Sequence, residues 1–155
     1  MLKLSFLEII LRTIPESLLF VLVPYVISTK EIEGSKYVKS VFILSLSVAI
    51  IRAFPISYGV HTLLNLILLV VLLNSVNGIE MGLSIKSVIV TTILLLISEG
   101  INLLALKLLI GNISKKMLIN PINRIIMGMP SLIIFGILLF ILFKINKRKK
   151  HYEYN

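Results

Sequence analysis

The stretch Ser87-Val88-Ile89-Val90-Thr91-Thr92-Ile93-Leu94-Leu95-Leu96-Ile97-Ser98-Glu99-Gly100-Ile101-Asn102-Leu103-Leu104-Ala105-Leu106-Lys107-Leu108-Leu109-Ile110 decides the fold. It exceeds the roughly 20 apolar residues that a helix needs to cross a hydrocarbon core about 30 Å thick, and reads as a transmembrane helix. Its interruption, Ser98-Glu99-Gly100-Ile101-Asn102, lies near the middle. An ionised carboxylate there costs on the order of 2.5–3.5 kcal/mol even on lenient insertion scales, so Glu99 is expected to be protonated, hydrated or paired.

Similar segments flank it. Towards the C-terminus, Gly111-Asn112 closes the span, a connection over 111–121 follows, and a further span is expected over 122–143, bent at Pro130. Towards the N-terminus, the polar patch 80–86 reads as a loop, and Asn74-Ser75-Val76-Asn77-Gly78 as the stop of a span over 60–76, with glycine ending the helix. A span over 37–53 ends at Arg52-Ala53-Phe54-Pro55, because the residue before a proline is pushed out of helical geometry, and a turn over 55–59 follows. The polar segment 29–36 is a loop, and a first span over 4–28 is interrupted by charges and Pro15 before the apolar run Leu18-Leu19-Phe20-Val21-Leu22-Val23. The expected fold is all-α, a polytopic transmembrane helix bundle of about five spans over 1–143, with a basic cytoplasmic tail over 144–155.

Composition agrees with that reading. Of 155 residues 57% are hydrophobic and 15% charged, too apolar for one soluble domain to hide in a single core. The absence of cysteine removes disulfides, thiolate metal sites and cysteine nucleophiles. The net charge of +9 lies in loops and in Lys144, Lys147, Arg148, Lys149 and Lys150, which reads as a topology signal and an attraction to anionic lipid; nucleic acid is not an expected partner. Five spans put the termini on opposite sides. With the tail inside, Lys30, Lys36, Lys39, Lys86 and the five tail charges face Lys3, Arg52, Lys115, Lys116 and Arg124 outside, which favours a cytoplasmic C-terminus in the cell membrane. Glu8, Arg12 and Glu16 interrupt what would be the apolar region of a signal peptide, so the first segment is expected to remain as a helix.

The polar residues of the spans are the candidate sites. Glu8, Arg12 and Glu16 recur every four residues and share a helix face, where the guanidinium can bridge two carboxylates. For Glu99 the candidate partners are Arg12 and Arg52, with Arg12 preferred as the internal polar pair; Lys107, two turns along the same helix, cannot reach it. A structural ion pair that fixes packing is the more ordinary role for such residues, and a ligand or proton site the less ordinary one. Arg52, Tyr58 and His61, with Asn65 one turn beyond, form a candidate ligand-binding group at the outer end of the bundle. There is no paired-histidine metal motif, no nucleophile elbow and no phosphate-binding loop, and aspartate is absent, so no catalytic residue, metal or cofactor is expected.

Three stretches together resemble a known pattern: Leu11-Arg12-Thr13-Ile14-Pro15-Glu16-Ser17, Ile51-Arg52-Ala53-Phe54-Pro55-Ile56-Ser57-Tyr58-Gly59-Val60-His61-Thr62 and Asn120-Pro121-Ile122-Asn123-Arg124-Ile125-Ile126-Met127-Gly128-Met129-Pro130. The layout is similar to the N-terminal membrane region of bacterial sensor histidine kinases with a GHKL-type ATPase domain. The resemblance implies a sensory bundle whose basic C-terminal end leads towards a cytoplasmic output domain. The 155 residues carry no dimerisation helices, phosphoacceptor histidine or ATP-binding domain, and His151 is given no phosphoacceptor role.

The expected function is therefore non-catalytic, a sensor-like or regulatory module acting through a protein partner such as a kinase or another membrane protein, with a second copy of the chain as a further candidate. The alternatives are a small transporter subunit binding at Glu99 and Asn102, or an assembly partner that anchors another membrane protein. An intramembrane peptidase is the weakest, because Glu99 and His61 make no nucleophile and base pair.

Overall fold

The computed structural model describes residues 9–28, 31–54, 58–110 and 121–153, with the side chains of 9, 53, 58, 59, 110, 121, 124 and 149–153 outside that description. Glu8, residues 55–57 of the turn expected over 55–59 and residues 111–120 of the connection expected over 111–121 fall outside it. The described residues form five α-helices: α1 (Ile14–Ser28), α2 (Gly34–Ala53), α3 (Tyr58–Ser75), α4 (Met81–Ile110) and α5 (Pro121–Glu153). A π-helical turn, Ile9–Thr13, precedes α1.

Among the described residues four segments are long and apolar enough to cross a membrane: Ile10–Ser28, Gly34–Arg52, Met81–Leu109 and Ile125–Arg148. The apolar part of α3, Val60–Ser75, is shorter. At 1.5 Å per residue the 18 residues of α3 rise about 27 Å, just under the thickness of a typical core. By helix length and composition the chain is thus a multi-pass membrane protein, all-α among its described residues, with four long candidate spans and one shorter apolar helix.

α1 is the hub. It packs against α2, α4 and α5 and touches α3, while α2, α3, α4 and α5 contact one another in chain order around it. Val21, Leu44, Leu69 and Leu73 knit α1, α2 and α3 into one apolar cluster, and Val23, Leu94 and Phe135 join α1 to α4 and α5 in a second. The rings of Phe20 and Phe135 meet at 5.7 Å beside that second cluster.

The radial arrangement is that of a protein dissolved in lipid. On α4 five of the seven buried residues are small or polar, Ser84, Ser87, Thr91, Ser98 and Asn102, beside Val88 and Leu94, whereas Leu108 and Leu109 are 85% and 83% exposed. Water would reverse this pattern. Lipid tails are as apolar as leucine, so helices associate through small and polar side chains that permit close approach. The buried hydroxyls fold back onto their own helix: Ser87 Oγ donates to the Leu83 carbonyl (2.7 Å), Thr91 Oγ1 to Ser87 (2.8 Å) and Ser98 Oγ to Leu94 (2.7 Å). None of these three hydroxyls then has to face hydrocarbon unpaired.

Several boundaries follow from local chemistry. Phe54 caps α2 in an extended conformation (ψ 146°), as the following proline requires. Gly78 takes φ +63°, a conformation that costs other residues strain, and turns the chain so that the Ile79 N–H reaches back to the Leu73 carbonyl at 3.0 Å. Two expectations need correction. The patch 80–86 is not a loop: the Ser84 N–H bonds to the Glu80 carbonyl at 2.8 Å, and α4 starts at Met81, because the glycine turn already completes the connection and polar residues suit the first helical turns outside the apolar layer. α2 starts at Gly34 rather than 37. The basic segment continues α5 as helix to Glu153, with Lys147 and Arg148, good helix formers, placed near a helix C-terminus. The 33 residues of α5 rise about 50 Å, well beyond the apolar core. Asn146 Nδ2 ties this extension to the Val26 carbonyl near the end of α1, at 3.2 Å.

Candidate functional site

The polar residues gather at two levels of the bundle. One is near the turn joining α3 to α4. Asn77 donates through Nδ2 to the Tyr25 hydroxyl at 2.7 Å and accepts through Oδ1 from Ser40 Oγ, so one side chain joins α1, α2 and the turn. The Tyr25 ring meets Tyr37 edge-on, and the Tyr37 hydroxyl donates to the Leu18 carbonyl at 2.8 Å. Every partner in this knot is occupied, as expected of a structural clasp.

The second level holds the charges. Arg12 lies in the π turn, one turn ahead of Pro15, whose missing N–H leaves the Leu11 carbonyl without its usual donor and breaks the regular ladder. From there Arg12 Nη2 lies 4.0 Å from Glu99 Oε1 on α4. Glu16, in the first turn of α1, faces Arg52 at the end of α2, with 3.8 Å between Oε2 and Nη2. Among the described residues the bridge expected along the helix from Arg12 to Glu16 does not form. Both groups are drawn instead to opposite charges on neighbouring helices. Glu16 nevertheless stands within electrostatic reach of Arg52, Arg12 and Glu99 together, so the four residues form one cluster of two positive and two negative groups.

Both separations exceed hydrogen-bond length, and charge-assisted bonds of well-formed pairs are about 2.7–2.9 Å. These pairs attract without being locked. The Glu16–Arg52 pair is the better enclosed, with side chains 13% and 28% exposed, against 25% for Arg12 and 43% for Glu99.

α5 shapes the pocket for Arg12. A β-carbon at Gly128 would stand 3.0 Å from Arg12 Cζ and Nη1 and 3.3 Å from Nε, so the guanidinium rests against bare backbone. Close by, Asn102 Nδ2 donates to the Met127 carbonyl at 2.8 Å, linking α4 to α5 where Pro130 supplies no N–H to the ladder. Ser131 Oγ donates to the Gly128 carbonyl at 2.7 Å.

Beside the Glu16–Arg52 pair lies a cavity of about 30 Å³, lined by Thr13, Glu16, Phe20, Arg52, Asn65 and Leu69 among others. Thr13 Oγ1, Glu16 Oε2 and Asn65 Oδ1 are buried without a hydrogen-bond partner. A buried polar group left unpaired costs about 1–3 kcal/mol, which makes this the least satisfied region of the described structure.

Of the candidate ligand-binding group, Arg52 turns inward to Glu16 and the cavity, which Asn65 also lines. His61 stands one turn before Asn65 on α3 and is not among the lining residues. Tyr58 opens α3, and its side chain lies outside the described residues. Among the described residues no group of three or more histidine or acidic side chains could hold a metal. Sequence reasoning overlooked Gly128, Thr13 and the Tyr25–Asn77–Ser40 knot. The one available signal was a glycine two residues before a proline inside a span; nothing in the sequence marks Thr13 out. No protein-family model, no curated protein and no solved structure matches the chain.

Proposed function

We propose that the chain is a non-catalytic, sensor-like or regulatory module of a bacterial cell membrane, with five crossings and a cytoplasmic C-terminus, acting through a protein partner. In this reading α3 completes the crossings by tilt or local bilayer thinning, at a cost of fractions of a kcal/mol per Å of mismatch. The observation that carries the proposal is the loose double ion pair, Arg12–Glu99 at 4.0 Å and Arg52–Glu16 at 3.8 Å, joining the π turn, α1, α2 and α4. A cation that can shift between two carboxylates on different helices supplies two bundle packings of similar energy, which a signalling element needs. The helical basic extension of α5, tied to α1 through Asn146, offers a route for that change to a partner on the tail side. The sensor-kinase resemblance supports the same assignment.

The chain lacks cysteine, so Phe54→Cys and Leu108→Cys can carry a pair of spin labels. In liposomes the label distances are expected to fall into two populations, with Glu99→Gln leaving one. A single narrow distribution unchanged by Glu99→Gln would overturn the proposal. Solute uptake by proteoliposomes that is lost in Glu99→Gln would replace it with transport.

A further inference from the structure

We infer that the cavity between α1, α2 and α3 is a binding site for water, bound as one or two molecules among Thr13, Glu16 and Asn65, and not a metal-cation site. Four observations carry this. The volume of about 30 Å³ is sufficient, since about 10–15 Å³ holds one water. Three oxygens on the lining residues, Thr13 Oγ1, Glu16 Oε2 and Asn65 Oδ1, are buried with no hydrogen-bond partner in the protein, Glu16 Oε2 having only the 3.8 Å ion pair to Arg52, and Thr13 is only 1% exposed. Their chemistry matches water: the carboxylate and amide oxygens accept, the hydroxyl can donate, and one water supplies two donors and accepts in return. Finally, the two guanidinium groups and two carboxylates already balance, so a cation would add an uncompensated charge beside Arg52 in a low-dielectric interior.

Water here would do more than fill space. It would hydrate Glu16 where its distance to Arg52 is 3.8 Å, bridging what the protein leaves open. The site is independent of any signalling role, because its partners are set by the packing of the three helices.

Radiolytic hydroxyl labelling of the full chain in lipid nanodiscs tests the inference, because side chains next to bound water are oxidised even when buried. Leu69 lines the cavity and is 1% exposed; Leu73, one turn on and 0% exposed, does not line it. Leu69 is expected to be oxidised well above Leu73 in the unmodified protein. In Asn65→Leu, which fills the cavity, and in Thr13→Val, which keeps its volume and removes the hydroxyl, that excess is expected to be lost. Equal labelling of Leu69 and Leu73 in the unmodified protein overturns the inference, whether or not the variants fold. Saturable thermal stabilisation by sodium or lithium ions that disappears in Thr13→Val overturns it in favour of a cation.

Discussion

Replacing Gly128 by alanine tests how the charged cluster is held. The new β-carbon would stand 3.0 Å from Arg12 Cζ and Nη1, so the guanidinium must retreat by a few tenths of an ångström or more. It is the far end of a flexible side chain and can do so, but at the expense of its 4.0 Å approach to Glu99. At an effective dielectric of about 20, opposite charges attract by about 4 kcal/mol at 4 Å and about 3.3 kcal/mol at 5 Å, so such a retreat costs below about 1 kcal/mol. Alanine in place of glycine within a helix returns up to about 1 kcal/mol. The two effects nearly cancel, and overall stability is a poor readout. The informative quantity is the coupling between positions 128 and 99, obtained by unfolding the two single variants and the double variant Gly128→Ala/Glu99→Gln in detergent micelles. The Glu99→Gln substitution is expected to cost less in the alanine background than in the glycine background. If Gly128→Ala instead stabilises by the full helix-propensity gain and leaves the cost of Glu99→Gln unchanged, the glycine does not position Arg12.

Three further outcomes follow from other contacts. Glu16→Gln or Arg52→Gln alone is expected to destabilise by about 3 kcal/mol, because each strands an enclosed charge, while the double variant loses less than the sum; additivity in unfolding experiments would show that the two do not pair. Asn77→Leu breaks the bonds to Tyr25 and Ser40 and is expected to cost about 1–3 kcal/mol, with faster amide exchange at the C-terminal end of α1; unchanged exchange there would remove its role as a clasp. Single cysteines at Glu33, Phe54 and Glu80 report topology through a membrane-impermeant maleimide applied to intact cells. Phe54→Cys is expected to react while Glu33→Cys and Glu80→Cys are protected, and identical behaviour of Phe54→Cys and Glu80→Cys would show that α3 does not cross.

Much of the bundle is legible in the residues themselves, because lipid imposes two strong rules: apolar segments must be long enough to cross, and backbone groups within them must be satisfied by helix. Pro55 and Gly78 mark their boundaries through backbone sterics that hold in any context, and the positions of Arg12, Arg52 and Glu99 against or inside the apolar segments are visible at once. The helical start at Met81 and the helical basic extension were not readable, because polarity alone does not distinguish a loop from a helix that has left the apolar layer. Which guanidinium meets which carboxylate, the rest of Arg12 against Gly128, and the meeting of Thr13, Glu16 and Asn65 around one cavity belong to the tertiary structure. They depend on the rotation of each helix about its axis, which in lipid is set by the fit of small and polar side chains between neighbours rather than by an apolar face seeking a core.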